Sequence, residues 1–180
     1  MRRHSSKNLK SFFPLLINPL VEEPLSIIVR KATSKDLETL LNIERECFTL
    51  EAFTEKQMSY LLKSPNSVSL VAKVNDEVAG FTIGLIERHG KTKRGHVYTI
   101  DVAAKHRRMG IGLKLLSELE KIFVEKGVKT CYLEARVDNK AARELYRKHG
   151  YIELEPLENF YSFGIHGIRL KKEFKTLTPQ

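Results

Sequence analysis

Apolar and polar positions along the chain fall into short blocks whose period switches repeatedly between that of a strand and that of a helix. Ile27 to Lys31 predicts a first strand, and Leu37, Leu40, Leu41, Ile43 and Cys47 then recur at helical spacing behind Ser34, a residue suited to an N-cap. A second short helix is expected from Thr54, with Glu55 in its first turn and Met58, Leu61 and Leu62 turned inward. Ser64-Pro65-Asn66-Ser67 breaks the pattern. Val68 to Val74 and Val78 to Glu87 flank Asn75-Asp76-Glu77 and predict a β-hairpin. Arg88 to Gly95 reads as a basic turn, which leads into a strand from His96 to Val102. From Leu113 onward, Leu115, Leu116, Leu119, Ile122 and Phe123 form a one-sided helical stripe, with Gly127 where a C′ glycine belongs.

Lys129 to Val137 alternates, putting Cys131, Leu133, Ala135 and Val137 on one strand face and Tyr132, Glu134 and Arg136 on the other. Asp138 or Asn139 caps a helix carrying Ala142, Leu145, Tyr146 and His149, which ends at Gly150. Tyr151 to Leu154 and Phe163 to Leu170 predict two final strands, joined by a loop from Glu155 to Ser162. The order β-α-α-β-β-β-α-β-α-β-β describes one α/β domain. Residues 1–26 read as a flexible or weakly docked extension, 27–172 as the domain and 173–180 as a polar tail.

Composition changes this picture little, and charge changes it more. The 180 residues are 42% apolar and 29% charged, ordinary for a globular protein. The formal net charge of +9 is high for the length, and the chain from Ser26 onward still carries +7. Such an excess suits nucleic acid, an anionic membrane, an acidic protein or a polyphosphate ligand. No run of 18 apolar residues predicts a membrane span. Cys47 and Cys131 are too few for a disulfide framework and are expected reduced and buried, in a cytoplasmic protein. The six histidines show no metal-site spacing, so no metal is expected.

The stretch Val97 to Gly112 concentrates the candidate chemistry. An apolar strand meets Lys105, His106, Arg107 and Arg108, then Gly110 and Gly112, then a long helix. Strand, basic loop and helix N-terminus together make an anion cradle. The cradle is neither a Walker loop nor a G-x-G-x-x-G turn.

Arg107-Arg108-Met109-Gly110-Ile111-Gly112 has the form [RQ]-x-x-G-x-[GA]. A second signature follows: Leu133-Glu134-Ala135-Arg136-x-x-Asn139-x-x-Ala142-x-x-Leu145-Tyr146-x-x-x-Gly150-Tyr151. Together, over about Ile27 to Lys171, they resemble the GCN5-related N-acetyltransferases (GNAT), and within them the Nα-acetyltransferase branch of bacterial ribosomal-protein alanine acetyltransferases and archaeal N-terminal acetyltransferases. The resemblance implies the GNAT fold, a central mixed twisted sheet of about seven strands with about four helices on its two faces.

It also implies acetyl-CoA as donor, coenzyme A as product, and the free α-amino group of a protein N-terminus as acceptor. The backbone of Ile100, Asp101 and Val102 would pair with the pantetheine arm, and Asn139 would hydrogen-bond it. Arg107, Arg108, Met109, Gly110, Ile111, Gly112 and Leu113 would hold the pyrophosphate, with Lys105 and Lys114 nearby. Glu134 stands at the general base's position and Tyr146 at that of the acid for the thiolate. His96 stands where archaeal enzymes handle a proton, and the choice between Glu134 and His96 as main base stays open. Glu51 would bind the α-ammonium group and Tyr161 the substrate backbone; Phe160 and Ala135 depart from the branch's usual tyrosine and valine.

Blander roles compete: an ion pair of Glu134 with Arg136 or a lysine, a core packing role for Tyr146, and a strand-edge position for His96. Competing functions are acetylation of lysine side chains or small amines, or a basic ribosome- or nucleic-acid-binding module. Expected partners are protein or peptide N-termini, with the ribosome or ribosomal proteins a second prospect; no membrane is expected, and nucleic acid is disfavoured.

Overall fold

The computed structural model describes residues 26–48 and 52–175. The expected order of elements is the observed one: β1 (Ile27–Lys31), α1 (Leu37–Cys47), α2 (Glu55–Lys63), β2 (Ser67–Val74), β3 (Glu77–His89), β4 (Thr92–Val102), α3 (Ile111–Glu125), β5 (Thr130–Arg136), α4 (Lys140–Lys148), β6 (Ile152–Ser162) and β7 (Ile165–Glu173). The seven strands form one sheet in the order β1-β2-β3-β4-β5-β7-β6. Only β4 and β5 are parallel neighbours, as a connection through a helix requires. This is the mixed α/β sheet with four α-helices that the sequence predicts.

Each face of the sheet closes its own core. Leu115, Leu116, Leu119 and Phe123 of α3 pack with Val97, Cys131, Leu133 and Ala135, and Leu145 and Tyr146 of α4 join them. Leu40, Leu41 and Ile43 of α1 and Met58 and Leu61 of α2 pack with Val71, Phe81 and Ile83 on the opposite face. Gly84 and Gly95 let α3 lie flat, because a Cβ at either would meet the Phe123 ring at 2.5 Å.

Several local expectations are corrected. The chain enters α1 through a short 3-10 turn over Ser34–Asp36 whose cap is Thr33, not Ser34. Asp36 Oδ2 accepts from Thr33 N at 2.8 Å, and Arg30 clamps the same carboxylate. Thr33 precedes the first turn, and its hydroxyl also donates to Asp36 Oδ2 at 3.0 Å, so the carboxylate folds back onto the cap. Helix α3 begins at Ile111, two residues before the expected Leu113.

The supposed basic turn from Arg88 to Gly95 is mostly strand: β3 runs to His89, and β4 starts at Thr92. Charge hid the pairing, since Arg88 lies opposite Lys93. The supposed loop from Glu155 to Ser162 belongs to β6, an edge strand that tolerates Pro156. Cys131 is buried, whereas Cys47 is only half-buried, and both thiols are free.

Candidate functional site

The site begins where two strands part. β4 pairs with β5 only from Arg94↔Thr130 to Val97↔Leu133. Beyond Val97, β4 stays with β3, while β5 continues to Arg136 beside β7. The local cause is a β-bulge. Ile83 lies opposite Thr99, whereas Gly84 lies opposite Val97, so Tyr98 is an extra residue in β4. A bulge bends its strand and breaks the side-chain alternation. Val97 therefore faces α3, whereas Asp101 faces α1 beside its cross-strand partner Phe81; Ile100 and Val102 turn to the α3 side. The buried Thr82 hydroxyl donates to the Thr99 carbonyl at 2.8 Å and holds the bend.

Beside the freed edge of β4 lies a cleft of about 740 Å³, whose lining includes neither His96 nor Glu134. Its walls include Ile100, Asp101 and Val102 of β4, Cys47 and Phe48 at the end of α1, the turn residues His106–Arg108 and Gly110–Leu113, and Asn139, Leu145 and Tyr146 of the α4 region, whereas the Met109 side chain packs against the core instead. The turn has the shape expected of an anion cradle. Arg108 and Gly110 have φ of 66° and 79°, the second being comfortable only for glycine, and Gly110 is the N-cap of α3 without a side-chain cap. The first helical bond is donated by Lys114 N to Gly110 O, so the amides of Ile111, Gly112 and Leu113 have no partner within the helix. A Cβ at Gly112 would point at Leu145, Val102 and Ile100 across 3.7 to 3.9 Å, so this glycine keeps the cleft wide.

The basic side chains of this loop divide. Arg107 is folded inward, with Nε donating to Val102 O at 3.2 Å and Nη2 reaching Cys47 Sγ at 3.6 Å; it braces the wall of the cleft. Arg108 and Gly110 line the cleft directly. Lys105 is paired with Glu77, and Lys114 with Glu118 at 3.2 Å. Asn139 spends its side-chain oxygen capping α4, accepting from Ala142 N at 3.1 Å. The residues present fit a ligand with an extended arm and a pyrophosphate, because unpaired strand edge, open amides and Arg108 all meet on one cleft.

On the sheet face away from α3, the structure brings His96 and Glu134 together. Nε2 of His96 lies 2.6 Å from Glu134 Oε2, and Nδ1 lies 3.7 Å from Glu87. The other oxygen of Glu134 accepts from Arg169 Nε at 2.9 Å, and Arg169 also bonds Glu155 at 2.9 Å. The ion pair predicted with Arg136 or a lysine is therefore made with Arg169, because Glu134 and Arg169 are direct cross-strand partners; Arg136 turns to Asp138. Burial works to raise Glu134, but the hydrogen bonds and charges of His96 and Arg169 outweigh it and hold the carboxyl below its ordinary value. Burial likewise works to lower His96, and Glu134 and Glu87 outweigh it, leaving the imidazole above its ordinary value.

Tyr146 lines the cleft and meets Tyr151 edge-on, with ring centroids 5.9 Å apart. Burial, helped by Asp101 and Tyr161, pushes its phenol well above the ordinary tyrosine value. Tyr161 stands near the end of β6, with its ring 5.1 Å from that of Phe160. Glu51 lies outside the described residues. Two features escaped sequence reading. Arg169 carries no motif and is found only through strand register. The Tyr98 bulge shows only as the three-residue step from Val97 to Ile100 within a run that reads simply as apolar.

Among the described residues, no group of three or more His, Cys, Asp or Glu side chains is placed to hold a metal, and no helix is long and apolar enough to cross a membrane. An N-acetyltransferase of Methanocaldococcus jannaschii, itself uncharacterised, is 31% identical over 150 residues, covering 82% of this chain and 92% of its own. An N-alpha-acetyltransferase of Sulfurisphaera tokodaii is 32% identical over 149 residues, covering 76% of this chain and 86% of its own. The crystal structure of the ribosomal-protein-S18-alanine N-acetyltransferase from Escherichia coli superposes with a TM-score of 0.75 at 22% identity, over 86% of this chain and 98% of that one. Residues 37–151 match the Acetyltransferase (GNAT) family. With parted strands, an open helix N-terminus and relatives over most of its length, the chain belongs to that acetyltransferase family.

Proposed function

We propose that this protein transfers the acetyl group of acetyl-CoA to the free α-amino group of protein N-termini. The observation that carries this reading is the parting of β4 from β5, with unpaired amides of α3 on one side and the His96–Glu134 pair on the other. The names of the archaeal relatives support the acceptor class.

The amides of Ile111, Gly112 and Leu113, with Arg108, hold the pyrophosphate, and the β4 edge at Ile100–Val102 takes the pantetheine arm as an added strand. Acetyl-CoA brings an activated thioester; the protein must supply a neutral amine and a proton for the leaving thiolate. An α-amine has a pKa near ~8, against ~10.4 for a lysine side chain, so an N-terminal acceptor asks much less of a base. Glu134, held ionised by Arg169, keeps the Nε2–H of His96 engaged, and Nδ1 takes up the ammonium proton, directly or through water. Tyr146, kept protonated by its surroundings, returns a proton to the thiolate sulfur. Tyr161 orients the peptide backbone of the acceptor.

A panel of short peptides with free or blocked N-termini, assayed with acetyl-CoA, tests the reading. Activity is expected on free N-termini and not on blocked peptides that carry lysine. Equal activity on the blocked lysine peptides overturns the α-amine assignment while leaving the family intact.

A further inference from the structure

Across the sheet from α3, two buried acids meet. Glu44, on the last turns of α1, and Asp101, on β4, are each only 2% exposed. Asp101 reaches this face because the Tyr98 bulge reverses the alternation of β4. Each acid has a fixed donor: Thr99 Oγ1 donates to Asp101 Oδ2 at 2.6 Å, and Phe53 N, at the approach to α2, donates to Glu44 Oε1 at 3.1 Å. The remaining oxygen of Glu44, Oε2, is buried and meets no donor among the described residues; the group it faces is the Asp101 carboxyl. Two ionised carboxylates are both acceptors and repel, so they can share a buried contact only across a proton.

We propose that Glu44 and Asp101 hold one shared proton and act as a positioning pair that clamps the end of α1, and through Phe53 the start of α2, onto the β4 strand of the cleft. The geometry explains why the clamp matters. Cys47 and Phe48, just beyond Glu44, form part of the cleft wall, where Cys47 touches Arg107, and Asp101 lines the same cleft. With the proton in place, Glu44 Oε2–H donates to Asp101, Oε1 accepts from Phe53, and every buried oxygen is used. Removing the proton leaves two negative charges buried side by side and drives α1 away from β4.

The charged and titratable groups facing the pair are few. The Arg107 side chain reaches in from the β4–α3 connection, Cys47 on α1 is pushed up to about 11 by burial and by Asp101, and Tyr146 on α4 is raised further still. Neither the thiol nor the phenol titrates before Glu44, which burial and then Asp101 push up to about 9, while burial raises Asp101 as well. The sign follows from this direction. A carboxyl raised in the folded state contributes stability below its unfolded pKa, and that contribution is lost as pH rises through the folded value. The pair therefore loosens on the alkaline side.

The activity arm of the test rests on the proposed acetyl transfer, and a spectroscopic arm does not. Glu44→Gln replaces the shared proton by an amide N–H that donates to Asp101 at every pH, while its carbonyl still accepts from Phe53. The variant is expected to keep kcat/KM within about twofold of wild type at pH 7 and to lack the fall that wild type shows above about pH 9. In the infrared spectrum of the wild-type protein at pH 7, a protonated-carboxyl carbonyl band is expected, which fades toward pH 10 and is missing from Glu44→Gln. An unchanged alkaline fall in the variant, or no protonated-carboxyl band in wild type at pH 7, overturns the proposal. Should the protein show no acetyl transfer at all, the transferase reading fails, and the infrared titration still decides the pair. Should Glu44→Gln fail to fold, the wild-type titration alone decides it.

Discussion

The two sides of the cleft are built by different means. The donor side, from Ile100 through the turn to α3, is continuous in sequence: strand edge, Arg108, Gly110 and the open amides follow one another within fourteen residues, Ile100 to Leu113. The proposed acceptor side is assembled from distant segments. Glu134 meets His96 across 38 positions and Arg169 across 35. The donor side thus depends on backbone conformation, and the acceptor side on charges that satisfy one another. A substitution should reveal which kind of site it touches: one in the turn should alter cofactor affinity, and one in the acid–base groups should alter turnover and its pH dependence.

The largest expected effect is on the acceptor side. Glu134→Gln keeps the shape of the group but removes the charge that holds His96 above its ordinary value. Turnover should fall on the order of 10²-fold or more, the usual contribution of a positioned proton-transfer group. Wild-type activity should rise as His96 loses its proton, at a pH above its ordinary ~6.5. In the variant that acid limb should move to lower pH, while affinity for coenzyme A is unchanged. A pH series of kcat with a free-N-terminus peptide checks both points. An unmoved limb means that His96 is not the group that titrates.

Breaking the donor side needs a change of backbone. Gly110→Val places a β-branched residue at a φ of 79°, where even an unbranched one costs about 1–2 kcal/mol. The turn must shift and carry the first amides of α3 with it. Affinity for coenzyme A is expected to drop by about tenfold, measured by calorimetry, with the acid limb of the pH profile left in place. A loss of turnover without a loss of affinity would show that the two sides are not separable in this way.

The same contrast explains what could be read in advance. Element order and the α3-side core were legible because α3, with Leu115, Leu116, Leu119 and Phe123, and β5, with Cys131, Leu133 and Ala135, each show one clear period. The cradle was legible because Arg107 to Gly112 is a local motif. The strand pairing near Arg88 and Lys93 was obscured, since like charges opposite each other are unfavourable and suggest a turn instead. Arg169 and the pairing of Glu44 with Asp101 were not legible, because no spacing along the chain encodes a cross-strand register. Tyr98 leaves only a three-residue step from Val97 to Ile100 within an apolar run, and yet decides which way Asp101 points.

Distance in sequence, rather than which side of the cleft a residue serves, is what separates the two cases, and the entry to α1 sharpens this. Its anchor is local: Asp36 is held by Thr33 three residues before it and by Arg30 six before it. The hydrogen bond from Arg30, against the opposing effect of burial, brings the Asp36 carboxyl down to about 2. A depressed carboxyl contributes stability above its unfolded pKa, and that contribution is lost as pH falls through the folded value. Asp36→Ala removes a cap partner and a charge-assisted pair whose cation is partly exposed, so a loss of only about 1 kcal/mol is expected near neutral pH. Denaturant unfolding at pH 7 and at pH 3 should show the gap between wild type and variant narrowing at the lower pH. Because this anchor lies at the opposite end of α1 from Cys47 and Phe48, kcat and the acceptor KM should stay within about twofold of wild type; a larger change would mean that α1 moves as one rigid lever on the cleft wall.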